Sequence, residues 1–372
     1  MKRLTFRHQF WLNRRARQVW EARLRRRQIL LQRRQAERLK QQSPRPQIIT
    51  ISPPADFSFS RNYDATVQCL DRLRRAVFEP APDGGRSRIF LDLSTIERVS
   101  VAGALVLAAE IHRWRHHHGR GLRAANIKEW HPAVRRLLAG LGFFDLLGVP
   151  VPRRMERERP RDEVTVLRMI SSTELDQELL QALLENLGRI AKILDQDPSV
   201  YGALVEAAYN AKLHAYPPDR EFVFPPVLKG WWATASWNPK EGVVKFLVYD
   251  QGVGIPDTLP KWAAWERIRA NLAEGLGDIG LGDIGSTILK NASNLIAAAI
   301  EMDRTSLQGG HGKGLQDVIR PVTSTPGASV RILSGTGSVL YHHDGSLAKK
   351  DEKLHIGGTL IEWRIPVGVN VK

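Results

Sequence analysis

An α/β fold is predicted for this chain of 372 residues by three observations. Residues 88–144 alternate strand-like and helix-like patterns, which implies helices laid over a sheet. A largely apolar, helix-like stretch at 204–216 precedes a strand-like run that ends on Asp250. Two glycines then flank a single valine, in "VYDQGVGIP" (248–256), so the strand passes directly into a tight turn. With 42% hydrophobic residues the chain can bury ordinary cores, and its length suits two domains plus extensions.

The first element is a basic arm. The net charge of +16 looks like a nucleic-acid signature, but residues 1–46 hold 15 Lys and Arg against two Glu, or +13 of that total. The globular remainder is close to balance. Residues 17–42, "RQVWEARLRRRQILLQRRQAERLKQQ", are rich in Arg, Gln, Leu and Ala, lack Gly and Pro, and stop before "SPRP", which predicts a helix. Trp20, Leu24 and Leu31 share an apolar stripe on it. Such an arm suits a polyanion: nucleic acid, anionic lipid or an acidic partner. The alternative is a solvated or coiled-coil helix. No uninterrupted apolar run approaches the roughly 18 residues of a membrane span, so no transmembrane segment is expected. A lone cysteine, Cys69, can build neither a disulfide framework nor a cysteine zinc site, which predicts a reducing, cytoplasmic setting.

Beyond the arm, residues 47–148 form a first domain. "RIFLDLS" (88–94) is strand-like and "VAGALVLAAEIHRWRHHHG" (101–119) is helix-like. "LRAANI" (122–127) is a second short strand and "HPAVRRLLAGLGFF" (131–144) a second helix. The stretch "VPVPRRMERERPRDEV" (149–164) replaces apolar periodicity with Pro and charge and reads as a linker to a second domain, residues 165–372. The pattern "IFLDLSTIERVSVAGALVLAAEI", followed by a short strand and "VRRLLAGLGFFDLL", resembles the STAS domain of bacterial anti-sigma-factor antagonists. In that family a phosphorylated serine directly precedes the glycine of the helix. Here Ala102 stands there, with Ser100 two residues away, so no phosphorylation of this loop is expected.

The second domain holds the chemistry. In "LVEAAYNAKLHAY" (204–216), Glu206, Asn210 and His214 are spaced four apart and fall along one helix face. Polar groups on a helix otherwise this apolar need partners or a ligand. "GGHGKGL" (309–315) packs Gly309, Gly310, Gly312 and Gly314 around Lys313 just before another helix-like run, and backbone amides at such a start form a nest for phosphate oxygens. A P-loop does not fit, because Lys313 is followed by glycine instead of Ser or Thr. "GLGDIGLGDIG" (275–285) matches G-x-G-x-x-G but no strand-like run precedes it, so a glycine hinge is the better reading. His116–His118 and the pair His342, His343 read as solvated loop histidines ahead of metal ligands.

Taken in order, the E-x-x-x-N helix, D-x-G-x-G-I after a strand, G-x-G-K-G-L and a closing "GGTLIEWRIP" strand resemble the histidine-kinase-like ATPase superfamily over residues 165–367. That superfamily includes gyrase, MutL, sensor kinases and the kinases that regulate sigma factors. The fold implied is thus a basic N-terminal helix, a small STAS-like α/β domain and a C-terminal ATPase-type α/β sandwich. The resemblance implies ATP and magnesium as cofactors. Asp250 would accept from the adenine amino group, Gly252 and Gly254 would let the backbone approach the base, and Asn210 would offer an oxygen to magnesium. Glu206 would be the general base toward water, and Gly310, Gly312, Lys313 and Gly314 would close on the phosphates. Residues 256–308 would form a lid. His214 suits a packing role, and a merely solvated Lys313 is the alternative to a phosphate ligand.

Three functions follow: an ATPase or ATP-driven switch that controls an unidentified protein partner, a serine kinase of the sigma-regulating type, and a nucleic-acid-associated ATPase. The first is preferred. Homodimerisation is left open, and a sensor histidine kinase is disfavoured because no phosphoacceptor-histidine helix followed by Arg-Thr-Pro is present.

Overall fold

A computed structural model describes residues 14–15, 18–32, 48–78, 88–118, 123–150, 163–191, 198–222, 224–259, 291–305 and 314–367. The chain is α/β and divides into two compact units, one of residues 1–48 and 80–88, the other of 49–79 and 89–372. In the first unit residues 18–32 are helical, and the expected stripe of Trp20, Leu24 and Leu31 is open to solvent, with Trp20 62% exposed. Residues 33–46 of the arm and 151–162 of the expected linker lie outside the described residues.

The second unit begins with a small sheet of β1 (Ile48–Ile51), β3 (Arg88–Asp92) and β5 (Arg123–Ala125), in the order β1-β3-β5. Strands β3 and β5 run parallel, with Leu91 opposite Ala124. A two-residue pair, β2 (Asp56–Phe57) with β4 (Arg98–Val99), lies off it. Helices α1 (Tyr63–Phe78) and α2 (Val101–His118) fill the crossovers. Helix α2 is apolar around most of its circumference and accordingly buried from Val101 to Ile111. It starts on Ser100, whose Oγ accepts the Gly103 amide at 3.0 Å as a helix cap. A Cβ on Gly103 would stand 2.7 Å from the Phe57 carbonyl, so only glycine lets α2 approach β2 this closely.

The single helix expected over 131–144 is instead two, α3 (Pro132–Leu141) and α4 (Phe143–Leu147). Gly142 between them adopts φ 84°, and its amide bonds the Ala139 carbonyl, which closes the first helix with a left-handed cap. The histidines need a similar correction. His116 and His117 belong to α2, not to a loop; His342 ends a strand, and His343 Nδ1 lies 3.0 Å from the Val322 carbonyl.

The larger sheet has eight strands in the order β12-β11-β10-β13-β9-β8-β6, with β7 also on β8. Its members are β6 (Thr165–Val166), β7 (Ile170–Ser172), β8 (Trp231–Asn238), β9 (Val243–Asp250), β10 (Ser329–Ser334), β11 (Gly337–His342), β12 (Leu347–Asp351) and β13 (Thr359–Pro366), paired antiparallel throughout. Because side chains alternate along a strand, the central β9 serves two cores. Val244, Phe246 and Val248 pack with α5 (Gln177–Ala191), α6 (Pro198–His214), α8 (Ala292–Thr305) and α9 (Gly314–Thr323), and the short α7 (Ile255–Thr258) follows the turn after β9. Leu247 and Tyr249 join Trp232, Leu333, Ile356 and Leu360 in the cluster formed by α1, α2 and the small sheet. The N-terminal layer therefore covers one face of the large sheet and the helices cover the other, giving a central strand buried on both sides.

Candidate functional site

Helix α6 buries Ala203, Leu204, Ala207, Ala208 and Ala211 and leaves Glu206 and Asn210 half-buried one turn apart. His214 continues their row toward solvent. The small alanines allow close packing against α9, whose Leu315, Val318, Ile319 and Val322 are buried in the same cluster. Gly314 opens α9. Gly310, Gly312 and Lys313, the remainder of the expected phosphate loop, lie outside the described residues, as do 260–290 and 306–308 of the expected lid.

Asp250 ends β9 between Trp231 of β8 and Thr359 of β13. Its carboxylate accepts the Gly252 amide at 2.8 Å and the Thr359 backbone amide. Only 8% of the residue is exposed, and burial, opposed by those two bonds, pushes the carboxyl up to about 7. A carboxylate here is costly in the absence of a donor that favours its charged form.

The two glycines have reasons within the chain itself. A Cβ on Gly252 would stand 2.3 Å from the Ala215 carbonyl, the same oxygen that accepts the Val253 amide at 2.9 Å, so the turn sits directly on the C-terminal end of α6. Gly254 adopts φ 95°, and the Ile255 amide beyond it donates to Ser334 Oγ at 2.8 Å. Tyr216 fastens the corner: its hydroxyl donates to the Gly230 carbonyl at 2.6 Å and accepts the Gln251 amide at 3.0 Å. The end of the E-x-x-x-N helix and the D-x-G-x-G turn are thereby built as one corner, with Asp250 at its floor.

Behind this corner, on the opposite face of β9, lies a buried ionic network that spacing along the sequence did not reveal. Arg74 of α1 donates through Nε (3.0 Å) and Nη2 (2.8 Å) to Glu110 Oε1 of α2, through Nη2 to the Ile356 carbonyl (2.7 Å) and through Nη1 to Asp71 (2.9 Å). Arg113 donates from Nε at 3.1 Å and from Nη2 to the other oxygen of Glu110. Burial alone would raise the Glu110 carboxyl, but Arg113 and Arg74 outweigh it and hold the group below its ordinary range. Tyr249 OH donates to the Gly357 carbonyl at 2.9 Å, and Tyr63 OH to that of Leu354 at 2.8 Å. The loop leading to Thr359 is thus held by side chains on its N-terminal-layer side. Trp232 Nε1 donates to His112 Nδ1 at 3.0 Å, an acceptor role that requires neutral imidazole; burial pushes that histidine down to about 4. The available signal was an acid and a base, Glu110 and Arg113, three apart inside an apolar helix.

Among the described residues no group of three or more His, Cys, Asp or Glu could hold a metal ion, and no helix is long and apolar enough to cross a membrane. No protein-family model, curated protein or solved structure matches the chain.

Proposed function

We propose that residues 165–367 bind Mg-ATP at the corner of α6 and the Asp250 turn, and that the chain is an ATPase or ATP-driven switch acting on a protein partner. The observation that carries the reading is Asp250: a buried carboxylate at the end of a central strand, held among the described residues by two backbone amides, beside a glycine turn and the end of a helix bearing Glu206 and Asn210. An ionised carboxylate has about four lone-pair sites, so two amides leave room for a further donor. An adenine amino group is such a donor. It would favour the charged form that burial disfavours.

Asn210, half-buried one turn beyond Glu206, has the amide oxygen that suits magnesium, a hard cation that keeps most of its coordination with phosphates and water. Bound at these residues, the metal would neutralise phosphate charge. Glu206 takes the proton from the attacking water in this scheme. The packing of the N-terminal layer against the sheet face behind Asp250 supports a switch, since Tyr63 and Arg74 of α1, with Tyr249 of β9, hold the loop next to the site.

The test is the fate of labelled γ-phosphate after incubation of the full chain with Mg-ATP. Free phosphate supports hydrolysis, label on an added protein supports the serine-kinase alternative, and label that stays on nucleotide without measurable binding refutes both.

A further inference from the structure

A cavity lies against the Asp250 turn, with Gly252 and Val253 in its wall. It holds about 80 Å³ and is lined by Arg74, Arg113, Gln251 and Phe222, with Glu221 and Asp257 also on its wall. Gln251 is 3% exposed, and among the described residues neither its Nε2 nor its Oε1 has a hydrogen-bond partner. A buried primary amide with neither end satisfied is costly, and such groups mark an absent water or ligand.

The charges around it are unequal. Deep in the wall, Arg74 and Arg113, each at most 3% exposed in its side chain, share one equally buried carboxylate, Glu110. Asp71 meets Arg74 from a position 30% exposed. Among the described residues the hydrogen bonds of Arg113 run from Nε and Nη2 only, both to Glu110. Nη1 is left as a charged donor. At the exposed side the sign reverses, because Glu221 and Asp257 are both solvent-exposed carboxylates.

We propose that this cavity binds a small α-amino-acid-like zwitterion. Its carboxylate accepts from Arg113 Nη1 and Gln251 Nε2, and its ammonium donates to Gln251 Oε1 while facing Glu221 and Asp257. Each unsatisfied atom then has a partner of the correct sense, and each end of the ligand meets the opposite charge. A simple anion would leave Oε1 unpaired and face the two acids. A simple cation would face the guanidinium groups. The volume admits a ligand of glycine or alanine size, since a single water needs only about 10–15 Å³ of such a cavity. This site uses none of Asp250, Glu206 and Asn210, although its cavity shares Gly252 of the turn with the ATP reading.

The experiment uses the full chain without nucleotide and titrates glycine, acetate and ethylammonium as probes. Thermal stability and hydrogen exchange at residues 249–253 report binding. Glycine should give a saturable stabilisation and slow exchange in that turn, with acetate and ethylammonium at least tenfold weaker. Gln251→Leu removes the buried amide at similar volume and should fold normally while weakening glycine at least tenfold. Arg113→Lys provides a second variant that keeps the charge but loses the fork. The proposal is overturned by the absence of saturable glycine binding, which would mean the cavity holds water alone, by equal binding of acetate, or by glycine binding that survives in Gln251→Leu.

Discussion

Replacing Asp250 with asparagine should change how the stability of this protein depends on pH. The carboxyl is pushed from 3.8 to about 7 in the folded chain. Three units correspond to about 4 kcal/mol at about 1.4 kcal/mol each. Because the folded value lies above the unfolded one, the fold prefers the protonated acid: no cost is present below pH 3.8, it grows as pH rises, and it is complete above about pH 7. Asparagine keeps an acceptor for the Gly252 amide but has no charge to bury. Urea unfolding of both proteins at pH 4.5, 6 and 7.5 should therefore show Asp250→Asn gaining on wild type at each step, up to the order of 4 kcal/mol in total. Parallel stability curves across that range would refute the claim that Asp250 ionises against burial.

Other outcomes follow from the same geometry. Glu206→Ala should bind ATP nearly normally yet hydrolyse it about 100-fold slower or more, whereas Asn210→Ala should lose magnesium-dependent binding; steady-state turnover and calorimetry separate the two. Glu110→Gln leaves Arg74 and Arg113 buried without their shared carboxylate and should cost about 3–5 kcal/mol in chemical denaturation, with the N-terminal layer and the large sheet unfolding together. A chain beginning at Gln47 should lose binding to nucleic acid or anionic vesicles, and binding by the full chain should weaken steeply with salt, as expected for 15 basic residues in the removed segment.

Sequence pattern reached the local features and missed the distant ones. The strand at 88–92, the helix at 101–118 and the strand ending on Asp250 were legible because apolar periodicity and glycine punctuation are local signals. The break at Gly142 was not, because a glycine within a helical pattern does not reveal whether it caps or merely interrupts. Gly252 was assigned freedom to approach a ligand, and the structure adds the nearer reason, the Ala215 carbonyl under it. Arg74 could not be read at all. On sequence it is a charge on an amphipathic helix, yet its partners Glu110 and Ile356 lie 36 and 282 positions away. The unpaired amide of Gln251 is hidden for the same reason, since only packing shows that a polar side chain beside a turn is enclosed.

The central claim is that Asp250 reads an adenine nucleotide, and calorimetric titration of Mg-ATP into wild type and Asp250→Asn at pH 8 tests it directly. Wild type should bind, and the variant should bind more weakly by about 1.5–3 kcal/mol, the range for a hydrogen bond involving a charged group. The wild-type affinity should also fall as pH drops below about 7, where the carboxyl takes up its proton, while the variant loses that dependence. Equal affinities in the two proteins, or no binding by wild type, would contradict the account.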